Sequence, residues 1–351
     1  MQLIFDGHND VLLRLWEHAA SGADPVAEFV EGTDKGHIDG PRAKAGGLAG
    51  GFCAIYVPSA GDYPRRELDE NGHYSIPMMA ALEQPAALNT ALEMAAVAFR
   101  LERAGAWTLC RSTGDIRAAI AAGRFAAILH IEGCEPIADD LSTLETLYAA
   151  GLRSLGPVWS RHNRFGHGVP FAFPSSPDTG PGLTDAGFEL VRACDRLGIM
   201  IDLAHMTEQG FWDVERTSTA PLVATHSNAH ALTPISRNLT DRQLDAIRER
   251  KGVAGLNYAT TTLRPDGLEN PATPLSDMVR HIDYMVQRMG IDCVALGSDF
   301  DGATIPSTIG DAAGGQSLVG ALRTAGYGED DIAKLCRENW LRLLATVWHE
   351  A

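Results

Sequence analysis

Side chains that can bind metal stand at the ends of short apolar runs along the whole chain. His8-Asn9-Asp10 follows the first run, and Glu132 closes His130-Ile131-Glu132. His205 follows Met200–Ala204, His226 follows Leu222–Thr225, and Asp299 follows Cys293–Gly297. Imidazole nitrogens and carboxylate oxygens suit zinc and related divalent ions. A single catalytic zinc takes three protein ligands and a water. His8, Asp10, Glu132, His205 and His226 offer five, which fits two metals about 3.5–4 Å apart with one carboxylate able to bridge. Such a pair lowers the pKa of a shared water and polarises a scissile carbonyl. Asp299 is then left as the general base on that water.

Each residue alone has a plainer reading. A histidine near a chain start is usually exposed, and His205 could be a core histidine satisfied by a carbonyl. Glu132 and Asp299 are harder to dismiss, because each sits in an apolar strand context and a buried unpaired carboxylate is costly. His130 lies two residues before Glu132, so both point to the same side of a strand. His130 is therefore expected one layer deeper, as a supporting residue. Together these groups fall at one set of strand ends, a coincidence that the plainer readings do not explain.

The elements that must position them follow a regular alternation. Eight β-rich apolar runs appear: Leu3–Gly7, Gly51–Val57, Ala126–Ile131, Arg153–Trp159, Met200–Ala204, Leu222–Thr225, Val253–Tyr258 and Cys293–Gly297. Helical stretches lie between most of them. Ala80–Ala104 is rich in good helix formers. Thr184–Leu197 opens on a capping threonine, and Thr240-Asp241-Arg242-Gln243 fits a capping box. Asp277–Met289 and Glu329–Val347 are expected as the last two helices, and Gly198, Gly252 and Gly290 as stop signals. Strands alternating with helices imply a parallel sheet with right-handed crossovers, and eight units point to a closed (β/α)₈ TIM barrel. A single domain over residues 1–351 is expected. Two connections, 61–79 and 160–182, are long enough to shape a site at the C-terminal face.

Bulk properties limit the alternatives. The chain has 351 residues, 45% hydrophobic and 21% charged, which suits one soluble α/β barrel. Its 29 basic and 45 acidic residues give a net charge of -16, which repels phosphate backbones and argues against nucleic acid. The six cysteines are scattered without a CxxC pair, so buried free thiols in a reducing compartment are expected. No signal peptide, spanning helix or lipid-anchor tail is apparent, so no membrane partner and a cytoplasmic location are expected.

In several pieces the chain resembles the membrane (renal) dipeptidases, peptidase family M19, within the amidohydrolase superfamily. These pieces are Asp6-Gly7-His8-Asn9-Asp10, Glu132-Gly133, Gly182-Leu183-Thr184, Ile201-Asp202-Leu203-Ala204-His205 and Thr225-His226-Ser227-Asn228. They continue in Ser236-Arg237-Asn238-Leu239, Gly297-Ser298-Asp299-Phe300-Asp301-Gly302 and Glu338-Asn339-Trp340-Leu341. The spacing of 21 residues from His205 to His226 adds specificity. The resemblance implies two zinc ions per chain, one held by His8 and Asp10, the other by His205 and His226. Glu132 and a water or hydroxide would bridge them, and Asp299 would handle the proton of that water. Arg237 would hold the C-terminal carboxylate of a free dipeptide, for which a planar guanidinium fork is suited. Without the resemblance, a surface salt bridge would be the preferred reading of Arg237. Some family members accept a C-terminal D-residue. A homodimer is a further expectation by resemblance.

The chain departs from the family where members often carry a carbonyl-polarising histidine in a Thr-His-x-x-Asn context. Here the segment reads Trp159-Ser160-Arg161-His162-Asn163, so Ser160 takes that position and His162 is the alternative candidate. Arg164, Phe165, His167 and Phe171 in the following loop are expected to shape the substrate pocket. Two other functions compete with dipeptide cleavage. One is another amidohydrolase-type reaction on an N-acyl amino acid, lactone or cyclic amide. The other is a non-catalytic barrel with a relic metal site, which the full set of ligands plus Asp299 disfavours.

Overall fold

The computed structural model describes every residue except Ala60, Asp62, Tyr63, Glu350 and Ala351. Eleven strands run in chain order: β1 Ile4–Asn9, β2 Leu48–Tyr56, β3 Tyr74–Ser75, β4 Trp107–Leu109, β5 Phe125–Glu132, β6 Leu152–Gly156, β7 Ala172–Phe173, β8 Met200–Ile201, β9 Val223–Ala224, β10 Val253–Asn257 and β11 Val294–Gly297. All eight expected strands are present, as β1, β2, β5, β6, β8, β9, β10 and β11. The fold is α/β with a mostly parallel sheet. One parallel sheet has the order β1-β2-β5-β6-β8, and a second has the order β11-β10-β9. β4 adds to the first sheet beside the start of β5.

Two seams relate these sheets, and each is made by a buried aspartate. Asp6 accepts hydrogen bonds from the Ser298 backbone N–H at 2.6 Å and from Ser298 Oγ at 2.8 Å. Asp202 accepts from the Thr225 N–H at 2.8 Å and from Thr225 Oγ1 at 2.6 Å. A parallel bridge pairs Asn9 with Phe300, and another pairs Asp202 with Val223. Side-chain oxygens here satisfy backbone N–H groups that a strand ladder would otherwise satisfy. For that reason β8 and β9 are two residues long, shorter than their apolar runs imply. His205 and His226 consequently sit beyond the strand ends, and Asp299 follows two residues after β11.

The helices follow their sequence signals with small shifts. The helix Gln84–Arg103 buries Ala87, Ala91, Met94, Ala98 and Leu101 along one side. Thr184 caps the helix Asp185–Leu197 by accepting from the Gly187 N–H at 3.2 Å, and Gly198 ends it in the left-handed conformation. Thr240 and Gln243 form the expected capping box, in which Gln243 accepts from the Thr240 N–H at 2.8 Å. The expected helix Glu329–Val347 is interrupted by a π-helical turn at Lys334–Glu338. That turn aims Asn339 and Trp340 inward: Asn339 donates to the Val294 carbonyl at 2.8 Å, and Trp340 Nε1 to the Leu296 carbonyl at 3.0 Å. The Trp340 ring packs on Phe52 and lies so close to Gly7 that a Cβ there would stand 2.5 Å from it.

The two long connections pair with each other. β3 and β7 form a short antiparallel pair, Tyr74 opposite Phe173 and Ser75 opposite Ala172. Sequence patterning gives no sign of this, because two-residue strands have no period to read. Asp62 and Tyr63 of the first connection lie outside the described residues.

All six cysteines are buried and free, as expected. Trp340 is fully buried beneath the first strand. Replacing it with alanine is expected to cost about 3–5 kcal/mol, read from urea unfolding of the metal-free protein. A loss under 1 kcal/mol would show that the aromatic plug is dispensable.

Candidate metal centre

The structure brings His8, Asp10, Glu132, His205, His226 and Asp299 into one buried cluster. β1 and β5 carry His8 and Glu132 directly on strand residues, while Asp10, His205, His226 and Asp299 lie beyond the strand ends. Glu132 Oε1 is the hub. It lies 3.6 Å from His8 Nε2, 3.1 Å from His205 Nε2 and 3.5 Å from His226 Nε2. His8 Nε2 is also 3.4 Å from Asp10 Oδ2, and the Nε2 atoms of His205 and His226 face each other at 3.1 Å. The His8 and His226 rings stack at 3.9 Å.

These contacts fit metal ligands better than hydrogen bonds. Two donor atoms on one zinc, at bonds of about 2.0–2.2 Å, stand roughly 3.3 Å apart. His8 Nδ1 and Nε2 are both buried without a hydrogen-bond partner. Buried polar atoms are normally paired, so orphaned imidazole nitrogens aimed at a carboxylate hub mark a cation site. His205 and His226 are held from behind. Ser160 Oγ contacts His205 Nδ1 at 2.8 Å, and Thr225 Oγ1 contacts His226 Nδ1 at 2.8 Å while donating to Asp202. His130 lies deeper, as expected, with Nδ1 2.8 Å from Ser154 Oγ and Nε2 3.7 Å from Asp202 Oδ2.

Electrostatics follow from burial. Burial disfavours charge on His8, but Glu132, Asp10 and Asp299 outweigh it and lift its pKa to about 10. Burial pushes the pKa values of His205 and His226 well down, leaving neutral imidazoles ready to bind metal. Burial likewise pushes Glu132 and Asp299 up. Asp299 accepts a hydrogen bond from Asn257 Nδ2 at 3.0 Å, which fixes its orientation. His205, Asp299 and Asp301 all adopt positive φ (64°, 59° and 67°), a conformation held only where surroundings enforce it and often found at functional sites.

A cavity of about 570 Å³ opens over the cluster. Asp10, Glu132, His205 and Asp299 line it, with Tyr56, Trp159 and Phe171 as an aromatic wall. Arg237 lines it too, and is buried at 5% exposure. Its guanidinium donates to the His226 carbonyl at 3.3 Å, and no carboxylate among the described residues lies within ion-pair distance. That excludes the surface salt bridge as the reading of Arg237.

His162 is not brought to the cluster, which corrects its assignment as a catalytic candidate. It is exposed, with its ring against His167 at 4.7 Å. The neighbouring Arg161 takes the buried position, paired with Glu135 at 2.9 Å and bonded to Ser59 and the Val57 carbonyl. This turns residue 162 outward. Of the loop residues expected to shape the pocket, Phe171 lines the cavity; Arg164, Phe165 and His167 do not. Sequence reasoning missed Asn257, Ser160 and Thr225. Asn257 is a polar residue ending an apolar strand, the same signal that exposed Glu132.

The sequence model for "Membrane dipeptidase (Peptidase family M19)" matches residues 1–351. The chain belongs to this family. A metallo peptidase from Rhodobacter sphaeroides, solved with a phosphinate mimic of the dipeptide L-Ala-D-Ala, is 47% identical with a TM-score of 0.93, covering 99% of this chain and 100% of that one. The structure of the dipeptidase AC, also of family M19, is 49% identical with a TM-score of 0.92, covering 99% of both chains. A dipeptidase from Claviceps purpurea, tcpJ, is 26% identical over 350 residues, 97% of this chain and 76% of its own. This M19 chain is thus a hydrolase acting on peptide bonds, and its buried histidine and carboxylate groups can hold a metal cofactor. Among the described residues, no helix is long and apolar enough to cross a membrane.

In the metal-free protein His8 carries a proton that a bound metal would have to displace. Since that pKa is raised, His8 stays protonated below about pH 10, and metal must displace the proton. Calorimetric titration in buffers of different ionisation enthalpy is expected to show proton release. Apparent affinity should fall by about tenfold per unit of acidification. A pH-independent affinity would contradict this arrangement. Removing the hydroxyl behind His205 by Ser160→Ala should weaken metal binding by about 10–100-fold in a chelator competition.

Proposed function

We propose that this chain is a binuclear zinc dipeptidase acting on free dipeptides, including those with a C-terminal D-residue. The observation that carries the reading is Arg237, buried, without a carboxylate partner, and opening into the same cavity as Glu132 and Asp299. We also infer that the eight main strands close into a (β/α)₈ barrel, supported by the parallel bridges and aspartate contacts at both seams. The ligand ends of β1 and β5 then share one rim with the turns that carry His205, His226 and Asp299.

His8 and Asp10 would hold one zinc, His205 and His226 the other, with Glu132 between them. When bound, such a pair supplies Lewis acidity and a water acidified enough to attack at neutral pH. The protein's own groups do the rest. Arg237 receives the substrate's terminal carboxylate in a bidentate clamp, which sets where the peptide bond falls. Tyr56, Trp159 and Phe171 exclude water on one side and accept apolar side chains. Asp299, oriented by Asn257, takes the proton of the attacking water and delivers it to the leaving amine. The cavity volume matches a ligand of this size. Similarity to a peptidase solved with an L-Ala-D-Ala mimic supports tolerance of a D-residue.

A panel of L-Ala-L-Ala, L-Ala-D-Ala and their C-terminal amides tests this on the zinc-loaded protein. Both free dipeptides should be cleaved, chelator should abolish cleavage, and amidation should remove most of it. Acetyl-alanine in the same panel separates N-acyl amino acid hydrolysis. A protein holding two metals that cleaves no dipeptide would sink the reading. Asp299→Asn should retain metal and lose about 10²–10⁴ in kcat.

A further inference from the structure

The cavity contains a second arginine that the reaction described above does not use. Arg66, from the connection after β2, lines the cavity with Ile76, Glu269 and Thr304. Its guanidinium stacks on Tyr74, 4.7 Å from the ring centroid. Tyr74 is itself fixed, by β3–β7 pairing and by a 2.8 Å hydrogen bond from its hydroxyl to the Gly267 carbonyl. The Arg66 head is therefore held over the cavity.

Its hydrogen bonding is incomplete. Arg66 Nε is buried and has no acceptor among the described residues. Among the described residues the nearest carboxylate, Glu269 Oε2, stands 3.7 Å from Nη1, beyond hydrogen-bond distance. The Glu269 side chain is 52% exposed, and its other oxygen accepts from Thr304 Oγ1 at 3.0 Å. An exposed pair at this separation is weak and can be exchanged for a better acceptor. Glu269 is held through Oε1 by Thr304, whereas Arg66 retains a buried N–H with no acceptor among the described residues. The missing group is an acceptor, and the geometry of a guanidinium favours a carboxylate.

Arg237 already provides for the terminal carboxylate. A second guanidinium in a cavity sized for one dipeptide faces a different part of the substrate. We propose that Arg66 recognises a side-chain carboxylate, so that dipeptides containing Asp or Glu are preferred over their amide counterparts. The inference rests on the dipeptidase reading and narrows its substrate class.

The test compares kcat/KM for matched acid and amide substrates on the zinc-loaded full chain. The pairs are L-Ala-L-Asp with L-Ala-L-Asn, L-Ala-L-Glu with L-Ala-L-Gln, and L-Asp-L-Ala with L-Asn-L-Ala, with L-Ala-L-Lys as the opposite charge. The acid should exceed its amide by about tenfold or more at one position. Arg66→Gln should bring that ratio near one, Arg66→Lys should keep part of it, and Glu269→Gln should raise it by removing a competing carboxylate. Each ratio is taken within one variant, so a general loss of activity cancels. A ratio near one in the unmodified protein, or one unchanged in Arg66→Gln, overturns the proposal. So does a preference for L-Ala-L-Lys that Glu269→Gln abolishes. Cleavage of no dipeptide by the metal-loaded protein would instead bring down the dipeptidase reading, and this inference with it.

Discussion

Three carboxylates, Asp10, Glu132 and Asp299, are buried in one small volume with three imidazoles, and this arrangement has no internal solution. Desolvation opposes ionising the acids, while their proximity to one another opposes ionising all of them together. A proton on His8 compensates in part. Divalent cations compensate fully, because each ligand oxygen and nitrogen then gains a bond that replaces lost hydration. The surrounding scaffold serves this requirement. Ser160, Thr225 and Asn257 each fix one charged or ligating group, and Asp6 and Asp202 hold the two seams from which the ligand-bearing segments emerge. The positive φ values at His205 and Asp299 belong to the same requirement. Those residues leave their strands abruptly in order to turn side chains toward Glu132.

Much of this was readable from residue types and spacing, for physical reasons that differ by residue. His8 and Glu132 lie on strands, where period-two alternation and an apolar context make a charged side chain conspicuous. His205, His226 and Asp299 lie just past apolar runs, so the runs located them even though β8 and β9 end earlier than the runs do. The strand ends moved because Asp202 supplies hydrogen bonds that no strand pattern encodes. Arg237 was legible only through family resemblance; alone, an arginine in a loop gives no hint that it will be buried.

Other features were out of reach. His162 and Ser160 are two residues apart, and which one faces the cluster depends on the Arg161–Glu135 pair, formed between segments separated in sequence. The β3–β7 pairing and the π turn before Trp340 have no local signature either. Both arise from packing between distant segments, where tertiary contacts override what a window of sequence can show.

Ser298, which bonds the His8 carbonyl across a separation of 290 residues, and Trp340, pressed against Gly7, have a consequence for how the protein is made. During synthesis the first ligand leaves the ribosome long before the segment that carries Asp299, and longer still before the tryptophan beneath it. The N-terminal strand has no neighbour on one side throughout that interval. Closing a loop of this size adds little extra entropy cost once collapse begins, but it delays completion of the cluster until residues far along the chain have been made. The cluster is thus complete only after the segment that carries Asp299 has emerged. A chain cut short before Trp340 would carry the whole cluster and still lack the ring that packs against Gly7.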